Sequence, residues 1–229
     1  MEDFADEIAK LCIDKMYIKL GKSGKPTETE WTVLSGIVLR KGDGLLSLVA
    51  LATGTKCLGE IDLINTELYK DGCRLNDSHA EVLARCAFLR YLYEQINLLL
   101  DGTKSDVFTM DNKKKLKLNN GISFHFFTSQ TLCGDCSIFP KNEFCENDTP
   151  PMKIRKHDDA GEVIMESYND KKEQMIKDIY RTGAKWVKTE EYQDPHLAGV
   201  NYHVIGPLRA KPERGNPTLS LSCSDKMAK

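Results

Sequence analysis

No apolar run in this 229-residue chain approaches the ~20 residues that cross a bilayer, so no membrane span is expected. Charge of one sign is lacking too. The 32 Lys and Arg against 34 Asp and Glu leave a net charge of −2 and a pI of about 6.2. That balance gives no global footprint for nucleic acid, so any RNA contact must come from a local basic patch. The opening residues, Met1-Glu2-Asp3-Phe4-Ala5-Asp6-Glu7, are acidic and lack the basic and apolar regions of a secretory signal. The expectation is an intracellular protein of cytoplasm or nucleus, its eight cysteines free thiols or metal ligands rather than a disulfide framework. No internal repeat is visible, and no protein partner is indicated.

What is present reads as alternating helices and strands. Ile8, Leu11, Cys12 and Met16 predict a short amphipathic helix between Asp6 and Leu20. Trp31–Leu39 and Leu45–Ala52, separated by Lys41-Gly42-Asp43-Gly44, predict a β-hairpin with a largely buried second strand. Thr53–Cys57 reads as a tight loop. A long helix is expected from about Ser78 to Leu100, with Val82, Cys86, Leu89, Leu92, Ile96 and Leu99 on its apolar stripe. Gly102–Asn120 is polar and lysine-rich and reads as loop. Ile122–Thr128 predicts a buried central strand. Residues 141–172 read as a surface insertion, 171–180 as a helix, 200–205 as a strand and 207–217 as irregular chain.

The stretch carrying chemistry is Leu75-Asn76-Asp77-Ser78-His79-Ala80-Glu81. A His-x-Glu opening a helix, followed by cysteines downstream, is the pattern of a zinc-dependent deaminase. Hydrolytic zinc takes three protein ligands and keeps a fourth position for water, whose pKa it lowers to roughly 7. A carboxylate that is not a ligand must then move the proton, which suits Glu81. On a regular helix, residues two apart point to different faces, so His79 must sit at the very start of the helix. Asn76, Asp77 and Ser78 are all plausible caps for it. Cys133 is a first cysteine ligand, at a strand-to-helix turn that favours the thiolate. The second is Cys136, on spacing, or the distant Cys223.

Together with Thr53-Gly54-Thr55-Lys56-Cys57, Cys133-Gly134-Asp135 and Ser222-Cys223-Ser224-Asp225-Lys226-Met227-Ala228, that stretch resembles the catalytic domain of the adenosine deaminases acting on RNA. Ala5–Cys12 and Tyr180-Arg181-Thr182-Gly183-Ala184-Lys185 resemble the branch that acts on adenosine 37, beside the anticodon of tRNA-Ala. The resemblance implies one α/β domain over 1–229, cytidine-deaminase-like, with a mixed sheet sandwiched by helices. It implies hydrolytic conversion of adenosine to inosine in the tRNA anticodon loop. Its zinc ligands would be His79, Cys133 and Cys223, with Cys136 as the alternative, and Glu81 would be the proton shuttle. Thr55 matches a residue near the target ribose. Asn76, Arg85, Ser220, Lys226 and Lys229 match donors to a buried inositol hexakisphosphate.

The chain departs from the family at three places. Leu132 replaces a proline, and Cys86 replaces an arginine. The third is the end at Lys229, beyond which the resemblance implies that the catalytic domain continues; ahead of the catalytic part, the expectation is that the chain leaves no room for the double-stranded-RNA-binding domains of the mRNA-editing relatives. Two rival readings follow from the residues: an inactive short form that binds only zinc or RNA, and a structural zinc protein built on Cys133 and Cys136. Cys12, Cys57, Cys73, Cys86 and Cys145 are expected simply to pack. His125, in an apolar strand, is expected to be a satisfied core histidine, and His157, His196 and His203 carry no ligand spacing. The lysines at 113–117 are expected to be a solvated loop.

Overall fold

The computed structural model describes residues 3–19, 25–64, 74–138, 184–187, 205–212 and 217–229. Helix α1, Phe4–Lys19, follows from Ile8, Cys12 and Met16, which recur at four-residue steps and are its buried face. They pack on Leu34 and Val38 of strand β1, Leu34–Arg40.

The predicted hairpin forms. Strand β2, Leu46–Thr53, pairs antiparallel with β1, with a register shift between Ile37 and Val38. On its other side β1 pairs antiparallel with the strand Ser123–Thr128, so β1 is central among the described residues. This corrects the expected burial. β1 is buried along nearly its whole length, whereas β2 and Ser123–Thr128 are mostly half-buried and Phe126 is exposed. Position within the sheet, rather than the hydrophobicity of each strand, decides which one is enclosed.

Strand alternation puts Leu34, Gly36 and Val38 toward α1, with Ile37 and Leu39 on the opposite face. Gly36 is required there, because a Cβ would lie 2.7 Å from the Cys12 sulfur. The opposite face carries the long helix, Ala80–Leu100, whose Phe88 meets Phe124 edge-on at 4.8 Å between ring centroids. The sheet is thus sandwiched by helices, as expected for the α/β class.

Three local expectations change. Thr53–Cys57 is not a loop throughout, because Thr55–Cys57 forms strand β3, paired antiparallel with β4, Asp77–His79. The lysine-rich segment contains a hairpin of β5, Phe108–Met110, and β6, Leu116–Leu118; Ser123–Thr128 is then β7. Cys86 is exposed rather than packed. The buried residues of Ala80–Leu100 are Ala80, Glu81 and Ala84, and Cys86 lies two residues, about 200°, around the helix from Ala84.

The long helix Ala80–Leu100 is α3, and short elements complete the site region: helix α2, Glu60–Ile64; strand β8, Lys185–Trp186; strand β9, Arg209–Ala210; and helix α4, Cys223–Met227. β8 and β9 pair antiparallel, and Ala210 bridges to Leu221. The segment expected to be irregular therefore holds a short strand. The insertion at 141–172 and the helix at 171–180 lie outside the described residues, as do Cys73, Cys145, His157, His196, His203 and nearly all of the strand expected at 200–205. No helix among the described residues is long and apolar enough to cross a membrane.

Candidate active site

The site is assembled where β4 turns into α3. His79 is the N-cap of α3, in extended conformation at φ −65° and ψ 138°, so its ring leaves the chain in a different direction from Glu81 in the first helical turn. This solves the geometric problem of a His and a Glu two residues apart. Two contacts hold the corner. The Asp77 carboxylate accepts the His79 amide at 3.1 Å, and the Gly54 carbonyl accepts the Ala80 amide at 3.0 Å. Gly54, at φ +151°, passes so close to the Ser78 carbonyl that a side chain would collide with it. β3 then places Thr55 directly across from His79.

The cysteines arrive from two other elements. Cys133 follows β7 and precedes a single 3-10 turn, Asp135–Ser137, rather than a longer helix. Cys223 opens α4, which Ser222 caps through the Asp225 amide at 3.2 Å. The elements interlock: the Cys133 carbonyl accepts the Ser224 amide at 3.0 Å and the Ser224 hydroxyl at 2.9 Å. Gly134, at φ +102°, lies against the Ser222 side chain, where a Cβ has no room.

The result is one cluster. The ligand atoms of His79, Cys133 and Cys223 all lie within 4.8 Å of one another. His79 Nδ1 is 3.4 Å from Cys223 Sγ. On a tetrahedral zinc with ordinary Zn–S and Zn–N bonds this edge is about 3.6 Å, so the donor set and its spacing fit that ion. Cys136 is exposed and is not among the three; its amide donates to the Ser224 hydroxyl. Glu81 is 3% exposed, and its Oε2 has no hydrogen-bond partner. This buried carboxylate oxygen, without a partner in the first turn of the helix that His79 caps, suits a group that exchanges protons with a bound molecule.

Sequence reading missed the charge that balances the sulfurs. Lys211, 1% exposed, donates to Cys223 Sγ at 2.7 Å, lies 3.8 Å from Cys133 Sγ and pairs with Asp77 at 3.3 Å. Hydrogen bonding from Cys223 and His79 and the Lys211 charge outweigh burial and pull the Cys133 thiol down to about 4. With that charge in place, the Cys223 thiol is pushed up. Burial disfavours the Lys211 ammonium, but Cys133, Cys223 and Asp77 outweigh it and raise its pKa. Burial likewise disfavours the Asp77 carboxylate. Hydrogen bonds from Lys226 and the His79 amide, with the charges of Lys211 and Lys226, overcome this and lower its pKa.

Among the residues matched to inositol hexakisphosphate, Lys226 and Ser220 converge on Asp77. Lys226 Nζ is 2.5 Å from its carboxylate and 2.7 Å from Ser220 Oγ, which itself donates to Asp77 at 3.2 Å. Among the described residues, Asp77 and Ser220 thus leave Lys226 one of its three N–H donors for another acceptor. Arg85 is half-buried, and Asn76 and Lys229 are exposed. His125 is satisfied as expected, hydrogen-bonded to Ser123 Oγ at 2.8 Å and edge-on to Phe4.

A helix-capping histidine and two cysteines form a donor set of the metal-binding type, in a site that also carries a buried free carboxylate. A family profile described as the adenosine-deaminase (editase) domain matches residues 50–229, and the chain belongs to that family. It is 37% identical over 225 residues to the tRNA-specific adenosine deaminase 1 of Drosophila melanogaster, covering 97% of this chain and 48% of that protein. It is 31% identical to the human tRNA-specific adenosine deaminase 1, covering 98% of this chain and 60% of the relative. The Drosophila double-stranded RNA-specific editase Adar is 34% identical over 152 residues, 63% of this chain and 21% of the editase. The chain spans about half the length of the curated relatives it matches.

Proposed function

We propose that the chain carries out zinc-dependent hydrolytic deamination of adenosine to inosine in tRNA, at adenosine 37 beside the anticodon of tRNA-Ala. The observation that carries the chemistry is the cluster of His79, Cys133 and Cys223 within 4.8 Å, with the unpartnered, buried carboxylate oxygen of Glu81 two residues along the chain from His79. The tRNA substrate is supported by the likeness to tRNA-specific deaminases over nearly the whole chain.

His79, Cys133 and Cys223 would hold the zinc, which supplies the Lewis acidity that makes water a nucleophile near neutral pH. Glu81 takes one proton from the attacking water and gives it to the ring nitrogen, then takes the second from the new C6 hydroxyl and gives it to the departing amine as the C6 carbonyl forms. Water adds at C6, the C6–N bond breaks, and the products are inosine and ammonia. Thr55, across β3 and β4 from His79, faces the target ribose in this reading. The anticodon loop presents an unpaired base, so turning it into the pocket costs little unstacking. The proposal extends to inositol hexakisphosphate, with Asn76, Arg85, Ser220, Lys226 and Lys229 as its donors here. The N–H that Lys226 keeps after Asp77 and Ser220 supports that role.

The test is inosine formation in tRNA-Ala carrying adenosine 37, with a guanosine-37 transcript as control and with the enzyme before and after chelation of its metal. Inosine only at position 37, lost on chelation and restored by zinc, is expected. Inosine elsewhere would contradict the proposed substrate, and chelator-resistant turnover would contradict the zinc mechanism.

A further inference from the structure

We propose that Arg209 is a positioning residue that sets the spacing of the two cysteine ligands, acting through Asp135. The inference rests on the zinc reading of the site given above.

Cys133 and Cys223 lie ninety positions apart on separate short elements, and neither a single 3-10 turn nor a five-residue helix fixes a sulfur by itself. The stretch 209–211 binds both. Toward the Cys133 turn, Arg209 Nε donates to Asp135 Oδ1 at 3.0 Å, while Asp135 Oδ2 accepts the Gly206 amide at 2.7 Å. Toward the Cys223 helix, the Arg209 amide donates to Asp225 at 3.0 Å, and the Arg209 carbonyl accepts the Ser222 amide at 2.7 Å. Asp225 also receives the hydroxyl of Ser222, the cap of that helix, at 2.5 Å. Two residues on, Lys211 reaches the sulfurs themselves.

The Arg209 side chain has no exposed surface, and Asp135 is 23% exposed, so water competes weakly for their bond. The guanidinium also donates through Nη1 to the Ala184 carbonyl at 3.2 Å and lies 5.9 Å from the Trp186 ring centroid. A planar fork with several directed donors can serve a carboxylate, a carbonyl and an aromatic face at once. A lysine is a single point charge and cannot. Arg209 therefore holds Cys133 through its side chain and Cys223 through its backbone, without touching the metal ligands.

The test compares the rate at which zinc passes from the full chain to a chelator in Arg209→Lys, Asp135→Asn and the double variant. A Val38→Ala variant, altered in the core under α1, serves as a control for simple loss of stability. Partners of metal ligands typically change metal affinity about 10–100-fold. Arg209→Lys should release zinc faster by a factor in that range, and its cobalt-loaded form should show a shifted thiolate-to-cobalt absorption. The double variant should release zinc more slowly than the product of the two single effects predicts, because the two changes share the Arg209–Asp135 bond. Additive effects, or equally fast release from Val38→Ala, would overturn the proposal. A wild-type chain that takes up neither zinc nor cobalt would instead overturn the zinc reading itself.

Discussion

The ammonium of Lys211 lies 2.7 Å from the sulfur of Cys223, in a position that is 1% exposed. A buried lysine is costly unless its charge is matched, and here two sulfurs and Asp77 match it. Lys211→Met removes the cation and leaves these partners facing an apolar chain. Denaturant titration at fixed zinc should show a loss of about 3 kcal/mol, as expected when one member of a buried charge pair is deleted. A loss below about 0.5 kcal/mol, the range of ordinary surface changes, would mean that the ammonium does not hold the site together.

The contact between α1 and the sheet makes a coupled prediction. A Cβ on residue 36 would lie 2.7 Å from Cys12 Sγ. Gly36→Ala should therefore destabilise the chain by about 1–3 kcal/mol through overpacking. Adding Cys12→Ala should recover much of that loss, with a coupling energy of about 1 kcal/mol or more in a double-mutant cycle. Strictly additive losses would show that the two side chains do not compete for this space.

Thiol chemistry separates the cysteines by environment. Cys86 and Cys136 are exposed, whereas Cys12 is buried and burial pushes its thiol up to about 11. The thiolate is the reactive form, so alkylation of the native chain at pH 8 should modify Cys86 and Cys136 and spare Cys12 until the chain unfolds. Peptide mapping by mass spectrometry reads the result. Early modification of Cys12 would show that α1 detaches easily from the sheet.

Much of this arrangement was legible in the sequence, and what was hidden has a common cause. The His79-x-Glu81 pair announced its chemistry because the residue types and their spacing are local. α1 and the hairpin of β1 and β2 were readable from periodicity. The central place of β1 was not, because β7 joins it from more than eighty residues away in the sequence and strand order leaves no local trace. Cys136 competed with Cys223 for the same reason: short spacing is visible in a sequence, and the approach of α4 to the Cys133 turn is not. One local signal was available, since Ser222 and Asp225 have the spacing of a helix cap. Arg209 and Lys211 stand in a stretch rich in proline and glycine that reads as loop, and nothing there marks them as buried.

The choice of third ligand can be read from metal content. Cys223→Ser should lose stoichiometric zinc, whereas Cys136→Ser should keep it, because only Cys223 joins His79 and Cys133 in the cluster. The reverse pattern would favour a structural zinc site on Cys133 and Cys136.

The most direct measurement is inosine formation in tRNA-Ala by wild-type chain and by Glu81→Ala, with zinc content determined on the same samples. Glu81 is the proton carrier of the proposed mechanism and is not one of the clustered groups, so the variant should keep its zinc and form inosine at least about 100-fold more slowly. Undiminished turnover in a zinc-loaded Glu81→Ala chain would contradict the account.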